Sequence, residues 1–178
     1  MSYLIHLECP KCREKRSPTE VVNLCSCGSP LLARYDLERL AAKTPREALK
    51  GREATMWRYR ELMPVEDPAN IVSLGEGFTP VLRMRRAGER YGFGELWMKD
   101  EGLNPTGSFK ARGASAGVSR AKELGITDIA MPTAGNAGGA WAAYGARAGM
   151  VTRIVMPADA PEINQKEAWA CGAEVYLV

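Results

Sequence analysis

From Glu95 onward the apolar and polar positions alternate between two periods. Short apolar, β-rich runs occur at ELWMK (95–99), DIAMP (128–132), TRIVMP (152–157) and EVYLV (174–178). The stretches between them, 108–124, 137–148 and 162–170, carry apolar residues at the three-to-four-residue spacing of helices. Gly125, Gly149 and Gly172 follow these helices, where a left-handed C-terminal cap calls for glycine. Strands alternating with helices of this length predict βαβ units, hence an α/β domain built on a parallel sheet covered on both faces.

Upstream the pattern changes. Leu37, Leu40 and Ala41 have helical spacing, Pro45 interrupts, and Ala54, Trp57 and Leu62 resume it before Pro64, so two short helices are predicted over 36–63. The run VSLGEGFTPVLRMR (72–85) holds two glycines and a proline before a β-rich stretch, as in a loop that feeds an edge strand. Four of the five cysteines fall within the first 27 residues. The expected organisation is a cysteine-rich segment over 1–35, a helical connector over 36–70, and the first part of an α/β domain over 71–178. EVYLV closes the sequence with no loop or helix after it, as expected of a longer chain cut at this strand.

Composition narrows the classes. The chain of 178 residues is 46% apolar and 25% charged, close to the globular average, with no run approaching the ~18 apolar residues of a membrane span. A net charge of +3 without blocks of like charge argues against nucleic acid. The amino terminus lacks the basic and long apolar regions of a secretory signal, which points to the cytoplasm.

The segment NPTGSFKARGASAG (104–117) carries the most chemistry. Lys110 falls in the first turn of a predicted helix, near the positive end of its dipole, where a cation is disfavoured. Partial burial acts in the same direction, and a lysine so placed suits Schiff-base chemistry with an aldehyde. A surface helix lysine is the plainer alternative. The segment MPTAGNAGGAWAAYGARAG (131–149) lies between a strand and a helix, at the strand's carboxyl end, where open α/β sheets bind ligands. Amides of Thr133, Ala134, Gly135 and Ala137 are positioned to receive a carboxylate there. The plainer reading makes Asn136 a helix N-cap.

Together, in this order and about 26 residues apart, the two segments resemble the fold-type II pyridoxal-phosphate enzymes. That group contains threonine synthase, threonine dehydratase, cysteine synthase and tryptophan synthase β. N-P-T-G-S-F-K-x-R-G and LGEGFTPVLR (74–83) are most similar to the threonine synthases, although Ala111 and Ala134 stand where Asp and Ser are common. The resemblance implies a three-layer parallel-sheet fold of the tryptophan synthase β type. It makes Lys110 the residue that bonds pyridoxal 5′-phosphate and shuttles protons, and Phe109 its neighbour beside the ring. Asn136 faces the ring's 3′ oxygen, and 133–137 grip the carboxylate of a small amino-acid substrate. Arg112 supports the lysine turn. The implied reaction converts O-phospho-L-homoserine and water to L-threonine and phosphate; threonine dehydratase is the alternative, and the full-length form is expected to be a homodimer. The family's glycine-rich phosphate loop and the Ser or Thr at the pyridine nitrogen have no counterpart in these residues, so the isolated chain is expected to bind cofactor weakly and turn over little. A folded but inactive fragment remains the non-enzymatic reading.

Cys9, Cys12, Cys25 and Cys27 give C-x2-C-x12-C-x-C. Four thiolates can close a tetrahedral structural zinc site in a zinc-ribbon-like piece too small for a core of its own. Reduced thiols and disulfides are the alternatives, and a ribbon beside Lys11, Arg13, Lys15 and Arg16 can also serve nucleic acid, a reading disfavoured by the low charge and an aromatic content of 7%. His6 is expected to be solvated or packed locally, and Cys171 to be a buried apolar residue.

Overall fold

The computed structural model describes residues 2–178. Its amino-terminal part is a three-stranded antiparallel sheet with β1 (Leu4–Glu8) between β2 (Lys15–Arg16) and β3 (Leu32–Tyr35). Leu7 pairs with Arg16 on one side and Ala33 on the other. Two tight turns hang from this sheet. In one, the Cys9 N–H donates to the Glu14 carbonyl at 2.9 Å; in the other, the Cys25 N–H donates to the Ser29 carbonyl at 2.9 Å. Within residues 2–35 only Ser2, Cys9 and Cys25 are fully buried, so sulfur occupies the place of an apolar core.

The connector begins with α1 (Leu37–Lys43), capped by the Asp36 carboxylate, which accepts the Arg39 N–H at 2.8 Å. A second α-helix does not form. Instead the chain makes 3-10 turns at Arg46–Leu49 and Met56–Leu62, because Tyr59 (φ −101°, ψ 31°) leaves the helical path. These turns bury Met56 and Trp57 beside Val65.

The next elements depart from the sequence expectation. β5 (Trp97–Lys99) pairs antiparallel with β4 (Val81–Arg83) in a separate two-stranded sheet, rather than joining the parallel one. Between them the chain holds only the two-turn α2 (Arg85–Tyr91), which stops at Gly92 (φ 73°).

The parallel sheet has the order β6 (Asp128–Pro132), β7 (Val151–Met156), β8 (Glu174–Leu177), with Ile129 opposite Thr152 and Ile154 opposite Val175. The connecting helices are α4 (Asn136–Ala148) and α5 (Glu162–Ala170), with α3 (Lys110–Glu123) leading into β6. Thr152, Ile154 and Met156 point one way on β7 and are buried under the helices. On the opposite face Arg153 bonds Glu174 at 3.0 Å and also Asp128. Among the described residues helices therefore cover one face, and the second covering layer is not among them. Gly125, Gly149 and Gly172 all adopt the left-handed conformation expected after the helices. No helix among the described residues is long and apolar enough to cross a membrane.

Candidate active site and cysteine centre

α3 and α4 each return the chain to the start of a strand in the same parallel sheet, so they run the same way and begin at its carboxyl edge. They approach closely because several residues of their shared core are small, Ala111 and Ala114 on α3 and Ala140 on α4, with Val118 and Tyr144 filling the rest. At Gly117 the Trp141 ring fills the space of the missing side chain; a Cβ there would lie 2.7 Å from it.

Lys110 is the first residue of α3, and Pro105–Gly107 form a 3-10 turn just before it. Thr106 (φ 61°) and Gly107 (φ 64°) are both left-handed, which turns the chain sharply into the helix. Lys110 is exposed, contrary to the partial burial expected of it, and its Nζ lies 4.7 Å from the centroid of the Phe109 ring, itself 57% exposed. Lysines 99, 122 and 166 are the other three within residues 72–178. Lys99 Nζ donates to the Thr79 carbonyl and hydroxyl at 2.7 Å each, Lys122 Nζ to the Ala69 carbonyl at 3.0 Å, and Lys166 pairs with Glu162 at 2.8 Å. The Lys110 amine has no hydrogen-bonded or ion-paired partner among the described residues.

The second segment leaves β6 and enters α4. Gly135 is the N-cap and Asn136 the first helical residue, so Asn136 is not the cap. Its side chain is exposed, as is Ala134, while Thr133, Gly135 and Ala137 are half-buried. Two of the four amides proposed to face a carboxylate are already used. Thr133 N–H donates to the Val155 carbonyl at 2.9 Å, and Gly135 N–H to the Thr133 hydroxyl at 3.1 Å. Those of Ala134 and Ala137 remain uncommitted among the described residues.

Two carboxylates that the sequence reading passed over tie this edge together. Glu101 accepts from Arg112 Nε and Nη2 at 2.6 and 2.7 Å, from the Thr79 hydroxyl at 2.5 Å and from Asn104 Nδ2 at 2.9 Å. The Arg112 guanidinium first, and the Thr79 hydroxyl next, hold its carboxyl down at about 2. Asn104 in turn accepts the Gly77 N–H at 3.0 Å, joining the lysine segment to LGEGFTP. Glu76, fully buried, accepts from Trp57, Ser73, Leu74 and Tyr144. Burial, and then the bond to Glu76, push the Tyr144 phenol up. The acid between two glycines in LGEGF was the available signal, since a polar side chain in a tight turn needs partners.

At the amino terminus the sulfurs of Cys9, Cys12, Cys25 and Cys27 all lie within 4.8 Å of one another, each brought in by one of the two turns. Cys9 and Cys25 are buried, Cys12 and Cys27 exposed. The Cys12 N–H points at Cys9 Sγ (3.4 Å) and is the main influence that lowers that thiol to about 6. His6 Nε2 stands outside the cluster, 3.5 Å from Glu8. Cys171 is half-buried against the β7–α5 core, and that burial pushes its thiol up. The sheet edge packs on α3: Arg120 donates to the Pro18 carbonyl, and Leu4, Leu7 and Ala33 face Gly117 and Ala121 across a cavity of about 210 Å³.

A lysine opening one helix, an asparagine loop opening its parallel neighbour and a shared sheet edge define a class. The family model described as pyridoxal-phosphate dependent enzyme matches residues 72–178, and the chain belongs to that family. Threonine synthase of Methanocaldococcus jannaschii is 40% identical over 171 residues, 96% of this chain and 42% of that protein. Threonine synthase of Methanosarcina acetivorans is 40% identical over 177 residues, 98% and 43% respectively. Among solved structures, a pyridoxal 5′-phosphate-dependent aspartate racemase superposes with a TM-score of 0.53 at 33% identity, covering 56% of this chain and 32% of its own. Serine racemase of Dictyostelium discoideum gives 0.51 at 32%, with the same coverages. The chain thus spans about two-fifths of the length of these threonine synthases.

Proposed function

We propose that this chain is the lysine-bearing part of a threonine synthase, which converts O-phospho-L-homoserine and water to L-threonine and phosphate. The observation that carries the reading is the free amine of Lys110: alone among the four lysines of the family segment it is uncommitted, and it opens α3 at the edge where the asparagine loop opens α4. This donor set fits pyridoxal phosphate, with an unpaired primary amine for its aldehyde, an exposed aromatic ring beside that amine, and an exposed carboxamide on the next helix. When bound, the cofactor supplies an electron-withdrawing ring that acidifies the substrate Cα–H.

The chain's own residues divide the remaining work. The Lys110 amine would hold the cofactor and, when free, would take and return a proton at its Nζ. Phe109 shields that nitrogen from water on one side. The Ala134 and Ala137 amides, with Thr133 and Gly135 shaping the loop, hold the substrate carboxylate, and Asn136 orients the ring. Arg112 keeps the lysine turn in place through Glu101. With Lys110 and Phe109 exposed, the 178-residue chain alone is expected to hold cofactor weakly. Synthase is favoured over dehydratase because the 40% identical relatives carry the former name.

For residues 1–35 the proposal is a structural zinc ribbon, with Cys9, Cys12, Cys25 and Cys27 as four thiolate ligands closing the shell; residues 36–70 connect it to the family segment. We place the whole protein in the cytoplasm as a homodimer acting on a small amino acid. The test is to add pyridoxal phosphate to the intact protein, reduce with borohydride, map the modified lysine, and compare phosphate release from phosphohomoserine with ammonia release from threonine. A label on Lys99, Lys122 or Lys166 in place of Lys110 refutes the site; faster ammonia release favours the dehydratase.

A further inference from the structure

We infer that Glu76 is a positioning residue, whose carboxylate braces the lysine helix α3 against the asparagine-loop helix α4; the inference rests on the functional reading above. Glu76 has no exposed surface. Its Oε1 accepts from Trp57 Nε1 at 3.0 Å and the Ser73 hydroxyl at 3.1 Å. Its Oε2 accepts from the Leu74 N–H at 3.0 Å and the Tyr144 hydroxyl at 2.5 Å. Trp57 Nε1 also donates to the Ser115 hydroxyl of α3 at 2.9 Å, and that hydroxyl donates to the Val72 carbonyl at 2.7 Å. One carboxylate therefore reaches α4 directly through Tyr144 and α3 through Trp57.

A carboxylate taken out of water without a cation in contact is costly, and it survives only where several donors replace the lost hydration. Closing the turn needs just Ser73 and Leu74, which are local. Trp57 and Tyr144 lie 19 and 68 residues away in sequence and serve no purpose in that turn. The backbone bends to bring the acid there: Gly75, Gly77 and Phe78 all have positive φ, and a Cβ on Gly77 would sit 2.6 Å from the Met56 nitrogen.

The packing between the helices shows why a brace matters. α4 is seated on β7, where Gly138 and Gly145 lie against Met156 and Thr152, whereas towards α3 much of the surface is smooth, Ala111, Ala114 and Ala140, with Trp141 over Gly117 as an interlock. A slide of α3 against α4 changes the distance from Lys110 to the asparagine loop, because each opens one of the two helices. Tyr144 sits about two turns along α4 from Asn136, so its bond to Glu76 fixes the helix along its own axis.

Borohydride trapping of pyridoxal phosphate tests this in the intact protein, read lysine by lysine by mass spectrometry, with Lys122 and Lys166 as internal controls. Tyr144→Phe and Glu76→Gln are each expected to slow labelling of Lys110 at least fivefold at 25 °C and to shift the visible absorption of the bound cofactor. The controls stay at the wild-type rate, and the double variant is no slower than the slower single one. Ile154→Ala, which weakens the β7 core without touching the brace, is expected to label Lys110 normally. An unchanged Lys110 rate in Tyr144→Phe, or equal slowing in Ile154→Ala, overturns the inference. If Glu76→Gln does not fold, Tyr144→Phe carries the test. Wild-type protein labelled at another lysine in place of Lys110 sinks the functional reading and this inference with it; labelling at Lys110 that is indifferent to the brace sinks the inference alone.

Discussion

The cysteine sheet and the α3–α4 helical layer are held together by different means. Residues 2–35 bury one serine and two cysteines, and their chain ends in two turns whose sulfurs converge. The helical layer buries Val118, Tyr144, Ile154 and Met156 completely, with Ala111, Ala114 and Ala140 letting the backbones approach. A segment of about 35 residues cannot remove enough apolar surface from water to offset its chain entropy, and on the zinc-ribbon proposal ligand bonds replace burial. The helical layer has burial in hand and spends its polar groups on alignment. Glu76 and Glu101 are the result, one fully buried, the other pinned by Arg112.

Four changes separate the two modes, the largest first. Stripping metal with a strong chelator, or Cys9→Ser, is expected to unfold the cysteine sheet, since structural zinc in small sites contributes ~10–16 kcal/mol of apparent binding free energy. Amide exchange in β1 and β3 then rises by orders of magnitude while β6 and β7 keep their protection; equal loss in both regions defeats the contrast. Ile154→Ala should cost about 2–5 kcal/mol in a urea titration, and leave cobalt binding by the thiols unaltered. Gly149→Ala places a Cβ at φ 70° and is expected to cost roughly 1 kcal/mol, with no effect on the cysteine sheet.

The smallest effect is one of pH. Glu101 titrates at about 2 in the folded chain against an ordinary 4.5, so its pairing with Arg112 stabilises fully above 4.5 and fades as the pH falls toward 2. The urea midpoint of the wild type should fall more steeply over that interval than that of Glu101→Gln; parallel curves remove Glu101 from the account.

Much of this was legible along the chain. The period-two and period-3.6 runs after residue 100 mark β6 to β8 and α3 to α5, and the glycines after the helices mark their ends, because both signals are local. The pairing of β4 with β5 was not, since a short run such as WMK reads the same in either kind of sheet. The free amides of the asparagine loop were miscounted for a similar reason: Thr133 gives its N–H to Val155, a partner that only strand pairing supplies.

By itself the sequence determined the class of elements, the two motifs and the two close cysteine pairs, each a matter of neighbours a few residues apart. Tertiary structure decided that Lys110 lies exposed, that helices cover one face of the sheet among the described residues, and that Glu76 meets Tyr144 across 68 positions. Periodicity records which way a side chain faces. What it meets there depends on how separate elements stack, and hydrogen bonds between distant residues leave no periodic trace.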